Sequence, residues 1–350
     1  MLTVNQVRQR DWMLLMLVLL VAAVMRLSEP GIVEFFHDDA MVSSMAQEMV
    51  SGETLPLTGI ISSVGIPNPP MTIYVLAIPF LLSTDPAFAI LFIMIFNVVG
   101  VGLLWWIAHR YFGRYVALVA GLTYAVSPWA VLYSRKIWAQ DYHTPFILFG
   151  VLLGLYGFLE ASKRTERAQQ FLLTRQEWAQ VLCLPVLLIG MQIHFAAWLL
   201  LPLYPILLMM GWRRMSFRAL FVSAIFCGIV LLPYAVGLAQ TLDADPGRIT
   251  AAMDRSSAST GLSFGDTALR NSLYLITGYG LETWFTQGEP ALLLDNVPTP
   301  LLWWGVLLAL IAGMSMLLIH RDYRRFAALL LAWGFFPVLA FTPQWTPVYP

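Results

Sequence analysis

The sequence predicts an all-α fold, a polytopic transmembrane helical bundle, and three observations support this prediction. Of the 350 residues, 59% are hydrophobic and 11% are charged, whereas soluble domains carry roughly 25% charged residues. Apolar runs of about 16 to 24 residues recur along the chain, the length at which a helix crosses a bilayer core. The two cysteines, Cys183 and Cys227, lie inside such runs, which disfavours a disulfide framework. Because no water satisfies the backbone inside a bilayer, these runs must be helical.

The predicted membrane spans cover most of the chain. They are 12–28, 86–109, 115–133, 142–160, 178–194, 196–212, 219–239, 298–319 and 326–341. We expect the first to be an uncleaved span, because Arg26 follows its apolar core and no small-residue cleavage site does.

Basic residues cluster between these spans in a way that predicts sidedness. The clusters are Arg110 and Arg114; Lys163, Arg164, Arg167 and Arg175; Arg213, Arg214 and Arg218; and Arg321, Arg324 and Arg325. Basic loops mark the cytoplasmic side. We therefore expect a cytoplasmic N-terminus, with most acidic residues on the outer face.

The first external loop then runs from about 29 to 85 and is predicted to hold two short helices. The first starts at Asp38, stops at Gly52 and lies in the membrane interface, with Met41, Met45 and Met49 on one face. The second is 71–83, which is too short to span and contains Pro79. We expect it to be juxtamembrane or re-entrant, because counting it as a span would put Arg110 and Arg114 outside.

Two acidic residues open the first of these helices. Aspartate is a good helix cap, so Asp38 either caps the helix or takes part in chemistry with Asp39.

Two further external corners carry ionisable groups. Arg135 and Lys136 break the rule that basic residues stay inside, which either lipid headgroups or a bound phosphate would explain. Asp141 and His143 follow them, and His194 lies in the tight turn "GMQIHFAAW". The predicted membrane interiors hold no charged residue, which argues against a proton-coupled transporter.

The order of these motifs resembles the polytopic type C glycosyltransferases, in the branch of the protein mannosyltransferases and aminoarabinose lipid A transferases. The matching segments are "HDDAMVSSMAQEMVSGETLP", "IPNPPMTIYVLAIPFLLS", "RYFGR", "LTYAVSPWAVLYSRKIWAQD" and "QIHFAAW". The resemblance covers about residues 10 to 215. Asn68 departs from it, because the family often has a charged residue there. Residues 240–350 match only in architecture, and relatives continue beyond Pro350, which indicates a shortened or incomplete chain.

The resemblance implies an inverting transfer of a sugar from a polyprenyl-phosphate donor to an unknown acceptor on the outer face. Asp38 would be the base, Asp39 would complete the acidic pair, and Asp141 would orient a substrate. The expected donor-phosphate residues are Arg135, Lys136, His194 and Arg26, and Asn68 and His143 would lie in substrate loops. The spacing demands no cofactor, and Asp38, Asp141 and His194 would be the ligands of a divalent metal.

This interpretation divides the chain into a membrane-embedded catalytic module 1–239, an external loop 240–297 and further spans in 298–350. It predicts a multi-pass protein of a bacterial or archaeal plasma membrane, with membrane lipids as partners and no nucleic acid. Two other interpretations stay open. A lipid-linked sugar flippase would place polar groups through the bilayer, where residues such as Gln192 are scattered. An antigen ligase would need a large external loop with Arg and His, and 240–297 has Arg248, Arg255 and Arg270 but no His.

Overall fold

The computed structural model describes residues 8–29, 35–62, 65–160, 173–248, 267–278, 299–320 and 323–335. Within these ranges the chain is helical apart from connecting segments and one isolated bridge between Ile61 and Pro67. The α-helices are α1 (Gln9–Leu27), α2 (His37–Ser51), α3 (Met71–Phe80), α4 (Pro86–Phe112), α5 (Arg114–Val126), α6 (Pro128–Tyr133), α7 (Thr144–Gly154), α8 (Arg175–Ile193), α9 (Leu203–Gly211), α10 (Phe217–Ala244), α11 (Thr267–Thr277), α12 (Thr299–Ile319) and α13 (Arg324–Leu330). The all-α prediction is confirmed.

The helices divide between two compact units. The first consists of residues 1–126 and 130–253, and the second of 127–129 and 254–350. All candidate site residues belong to the first unit. The predicted division at 239 and 297 stays a prediction, because residues 249–266 and 279–298 lie outside the described part of the chain.

Three of the described helices, α4, α8 and α10, are long and apolar enough to cross a membrane unaided. They correspond to the predicted spans 86–109, 178–194 and 219–239. The predicted span 115–133 is interrupted, because Ser127 precedes Pro128 and a residue before proline disfavours the α conformation. The predicted span 196–212 also differs, since a 3₁₀ segment, Phe195–Leu200, comes before α9. In the last predicted span, residues 336–341 lie outside the described part.

The two short helices predicted between the first and second spans are present. Helix α2 starts one residue earlier than expected, at His37, and ends at Gly52, which has a φ of 81°. Glycine adopts this left-handed conformation without steric penalty, so it terminates the helix. Helix α3 has 10 residues, so it is only about 15 Å long, roughly half the hydrocarbon thickness.

The buried face of α2 differs from the methionine face that the sequence suggested. It consists of Asp39, Val42, Ser43 and Ala46, at helical spacing. Met45 and Met49 pack partly against the same core, while Met41 is exposed. Helix α2 is therefore anchored by its small and acidic side to α3 and α4.

Ion pairs fasten one end of the bundle. At the start of α1, Asp11 lies 3.2 Å from Nε2 of His109 and 3.3 Å from Nε of Arg114. Arg110, also at the end of α4, binds Glu160, which follows a π-helical turn at Leu155–Leu159. These acidic residues fall in loops that the sequence assigned to the cytoplasm. The candidate site residues lie at the other end of the same helices.

Candidate active site

The three corners that the sequence singled out meet at the end of the bundle opposite these ion pairs. The Tyr142 hydroxyl donates to the Thr72 carbonyl at 3.3 Å. The Thr72 hydroxyl in turn donates to the Ile193 carbonyl at 2.8 Å, one residue before His194. Tyr142 and Ile193 also share one buried cluster with Val42 of α2. The start of α3, the segment before α7, the end of α8 and the buried side of α2 therefore form one assembly.

The two adjacent aspartates have different environments. Asp39 is fully buried and accepts the Phe36 N–H at 2.6 Å, so it caps the start of α2. Asp38 is half-buried, and among the described residues its carboxylate makes no hydrogen bond or ion pair. The capping role that the sequence left open for Asp38 thus belongs to Asp39.

Asp141 directly precedes Tyr142, a buried residue whose phenol is also influenced by the charge of Asp39. Asp141 is 4% exposed, and Nδ2 of Asn97 donates to its backbone carbonyl at 2.7 Å. Burial raises the pKa of Tyr142, and the charges of Asp141 and Asp39 raise it further. Both carboxylates therefore act on one buried phenol, although they are about a hundred residues apart in the chain.

Arg26 and Arg135 donate to backbone carbonyls at the ends of helices. Arg26 is fully buried and donates from Nη1 to the Ala125 carbonyl at 2.8 Å and from Nη2 to the Tyr124 carbonyl at 3.1 Å. Arg135 donates to the carbonyls of Met25, Ser28 and Glu29 at 2.9, 2.5 and 3.1 Å. Burial lowers the pKa of Arg135, an effect that the nearby Glu29 carboxylate opposes. The predicted phosphate contacts of these two arginines stay predictions.

Lys136 is held against two aromatic rings. Its ammonium nitrogen lies 4.6 Å from the centroid of Tyr133 and 5.5 Å from that of Trp138. Cation–π contact stabilises an ammonium without neutralising it. The two rings therefore hold the Lys136 ammonium in place and leave its charge intact.

The two histidines of the site are close enough that a charge on His143 disfavours protonation of His194. Burial lowers the pKa of His194 to about 4, with a further contribution from His143. Burial also lowers the pKa of His143, whose Nδ1 pairs with the Gln140 carbonyl at 2.7 Å. With a pKa of about 4, the His194 imidazole is neutral at pH 7, so it can offer a ligand a hydrogen bond but not a charge.

Asn68 belongs to a short hairpin within the first loop. Its side chain donates to the Ile60 carbonyl at 3.0 Å, and its backbone carbonyl accepts the Gly59 N–H at 2.7 Å. The Tyr234 hydroxyl of α10 donates to the Pro67 carbonyl at 3.0 Å. The hairpin is thereby fixed to α10, and the proposed substrate contact of Asn68 stays a prediction.

The structure does not bring Asp38, Asp141 and His194 together as a metal site. Within the described ranges, no three His, Cys, Asp or Glu side chains are grouped closely enough to hold an ion.

The arrangement of helices was compared with known proteins. The fold resembles that of ArnT. The crystal structure of ArnT from Cupriavidus metallidurans bound to undecaprenyl phosphate matches with a TM-score of 0.52 and 15% identity. The match covers 95% of this chain and 59% of the ArnT chain, so this chain spans about three fifths of the ArnT length. No family model and no curated protein matches the sequence. The chain is thus an integral membrane protein with an ArnT-like helical fold.

Three residues that connect the site were missed in the sequence. Tyr142 lies between the candidate residues Asp141 and His143, and Thr72 comes two residues after the Pro-Pro element. Asn97 gave the clearest signal, because it is a lone amide in the apolar run of α4 and is almost fully buried. A buried amide needs hydrogen-bond partners, and Asn97 finds them in the carbonyls of Ile93 and Asp141.

Proposed function

We propose that this protein is a membrane glycosyltransferase that uses a polyprenyl-phosphate sugar as donor. The transfer takes place at the end of the bundle where α2, α3 and the 134–143 segment meet, on the outer face of the membrane. The acceptor is a hydroxyl compound of unspecified class. The ArnT structure that this fold resembles contains undecaprenyl phosphate, a carrier of the class that the sequence motifs imply.

The observation that carries the proposal is the contrast between Asp38 and Asp39. A general base needs a carboxylate that is accessible and not already used in hydrogen bonds. Asp38 meets this requirement, whereas Asp39 accepts the Phe36 N–H and is fully buried. Asp39 therefore fixes the helix start that presents Asp38.

The reaction is a single displacement. Asp38 takes the proton of the acceptor hydroxyl as its oxygen bonds to the anomeric carbon. The bond from that carbon to the phosphate oxygen breaks on the opposite face, so the configuration inverts and polyprenyl phosphate leaves. A weak base suffices, because phosphate is a good leaving group. Charge grows on the phosphate as the bond breaks, and a fixed cation stabilises it.

Lys136 is the cation that we assign to this phosphate. Its ammonium lies against two aromatic rings, whereas the Nη groups of Arg135 and Arg26 donate to backbone carbonyls. His194 provides a neutral hydrogen-bonding group, and Asp141 orients a substrate. Asn68 and His143 complete the walls that substrates meet.

A flippase has less support. Its transport route would need polar groups inside the bilayer, and Gln192 is the interior residue that prompted this alternative. Nε2 of Gln192 donates to the Val230 carbonyl of α10 at 3.0 Å, close to Pro233, where the helix lacks a backbone donor. This hydrogen bond joins α8 to α10.

The test is to incubate purified protein with a panel of polyprenyl-phosphate sugars and to follow loss of the lipid-linked donor. We expect one sugar to be consumed with release of polyprenyl phosphate, and the Asp38→Asn variant to be inactive. The Asp245→Asn variant is a matched control, because Asp245 is exposed and, within the described ranges, forms its ion pair with Arg248 at 3.3 Å. The proposal would be refuted if folded wild-type protein consumed none of these donors.

A further inference from the structure

Arg26 supplies the hydrogen bonds that the end of α5 lacks. The Tyr124 carbonyl would normally accept the N–H four residues later, but that residue is Pro128, which has none. Arg26 of α1 donates to this carbonyl and to that of Ala125, and its guanidinium lies 5.5 Å from the Tyr124 ring centroid. A positive charge also suits the negative end of a helix dipole.

Arg135 does the same for the end of α1. Helix α1 also ends with carbonyls that have no donor within the helix, and the Met25 carbonyl is in this last turn. Glu29 has a φ of 51°, a left-handed conformation that is unfavourable for a residue with a side chain. Arg135 binds the carbonyls of Met25, Ser28 and Glu29 together, so it holds this turn in place.

The two contacts are reciprocal. Helix α1 carries Arg26, which closes α5, and the segment that follows α5 and α6 carries Arg135, which closes α1. Among the described residues, neither guanidinium forms an ion pair with a carboxylate. Their Nη groups are taken up by carbonyls, and both side chains are buried.

We infer that Arg26 and Arg135 form a clamp that positions the 134–141 segment, so that Lys136 meets the phosphate and Asp141 faces the substrates. This inference rests on the proposed function. Lys136 follows Arg135 directly, so the clamp fixes the backbone from which Lys136 projects. Loss of either arginine should therefore misplace Lys136 and slow the reaction, while the groups that bind the lipid phosphate stay present.

The first test separates positioning from binding in the full-length protein. We expect Arg26→Gln and Arg135→Gln to lower kcat by about tenfold or more, since small displacements of reacting groups have large effects. Their Kd for polyprenyl phosphate should rise by less than about threefold, because the displaced Lys136 keeps its charge near the phosphate. Lys136→Gln, which removes a charge-assisted contact, should raise that Kd about tenfold or more. A rise in Kd for the arginine variants as large as that for Lys136→Gln would make them ligands and overturn the inference.

Conservative variants give a second readout. Lysine keeps the charge but cannot bind two or three carbonyls in a fork. Arg26→Lys and Arg135→Lys should therefore fold and recover part of kcat without a change in Kd. Arg248→Gln is the matched control and should leave kcat, Kd and Tm unchanged. Full kcat in both glutamine variants would also overturn the inference.

A double-mutant cycle tests the clamp independently of the reaction. The Tm of Arg26→Gln with Arg135→Gln should fall by less than the sum of the two single losses, because either change opens the same unit. Strictly additive losses would overturn the inference even if the enzyme works as proposed. If the wild-type protein binds no polyprenyl phosphate and consumes no donor, the proposed function fails, and non-additive losses still support the clamp.

Discussion

Arg110 and Glu160 form a two-pronged ion pair, with 2.6 Å between Nε and Oε1 and 2.7 Å between Nη2 and Oε2. The Tyr111 hydroxyl donates to the same carboxylate at 2.7 Å. Glu160 is 5% exposed, so these bonds replace the water that its charge would otherwise bind. The pair joins the end of α4 to the segment that follows α7.

Glu160→Gln should destabilise the protein, because it leaves the Arg110 charge without its partner. The expected loss in the free energy of unfolding is about 2 to 3 kcal/mol, somewhat below the roughly 3 to 5 kcal/mol for breaking a fully buried pair. The Arg110 side chain is 25% exposed, so water compensates part of the loss. Thermal unfolding in detergent measures the effect. Asp245→Asn, which breaks an exposed pair, should change stability by less than about 0.5 kcal/mol, and equal losses would contradict the prediction.

Asp38→Asn should abolish transfer and leave Tm unchanged, because an amide cannot take the acceptor's proton. Asp39→Asn should retain much of the activity, since its amide oxygen can still accept the Phe36 N–H and asparagine is also a good cap. Donor turnover and Tm of each variant provide the measurement. Near-normal turnover by Asp38→Asn would show that Asp38 is not the base.

Gly237→Ala should detach the first loop from α10. A Cβ at this position would lie 2.6 Å from the Leu57 carbonyl oxygen, which belongs to the backbone and cannot rotate away. Gly228 is a matched control in the same helix, because a Cβ there meets no atom within 4 Å. We expect a lower Tm and faster proteolysis in the 53–62 region for Gly237→Ala only. If Gly228→Ala gave the same result, the effect would come from the α10 backbone and not from the contact with Leu57.

Acid should destabilise the protein in part through His194. Its pKa is about 4 in the folded protein, lowered by burial from an ordinary value of 6.5. Between these two values the unfolded chain binds a proton that the folded chain does not, so stability falls as pH falls from about 6.5 to about 4. His194→Gln should therefore show a smaller drop in Tm between pH 7 and pH 4.5 than wild type. His37→Gln, at an exposed position, should not; identical curves for His194→Gln and wild type would contradict the prediction.

The first loop should be external along its whole length. Ser62→Cys and Thr84→Cys flank α3 and should both react with an impermeant thiol reagent added from outside. Thr84 is exposed, so slow labelling there would not result from burial. Labelling of Thr84→Cys only after permeabilisation would place α3 across the membrane and contradict the topology.

The helices were predictable from the sequence because a long apolar run that crosses a membrane must be helical to satisfy its own backbone hydrogen bonds. Such runs located α4 and α10, although these helices end three and five residues beyond the predicted spans 86–109 and 219–239. The interruption at Ser127 and Pro128 was visible in the sequence but was read as part of one span. Apolar content gives no signal for a break, whereas proline does.

The site was predictable as a set of residue types at three corners, and less so in its contacts. The predicted membrane sidedness placed Asp38, Arg135 and His194 on the same face. Arg135 was expected to bind phosphate, and the structure adds its contacts with three carbonyls at the end of α1. Those contacts join residues about 110 positions apart, and hydrophobic periodicity carries no information on which helix end a given side chain will meet.

Helix α1 is synthesised before the segments that bind both of its ends. Asp11 pairs with His109 and Arg114, while Arg26 binds a carbonyl 99 residues further on and Met25 is bound by Arg135, 110 residues on. At a translation rate of roughly 5–20 residues per second, α1 waits on the order of 5 to 20 seconds for these partners. During that interval its buried charges need water, lipid headgroups or the insertion machinery. A nascent chain halted before residue 109 should therefore hold α1 loosely, and release of the arrest past residue 135 should lock it in place.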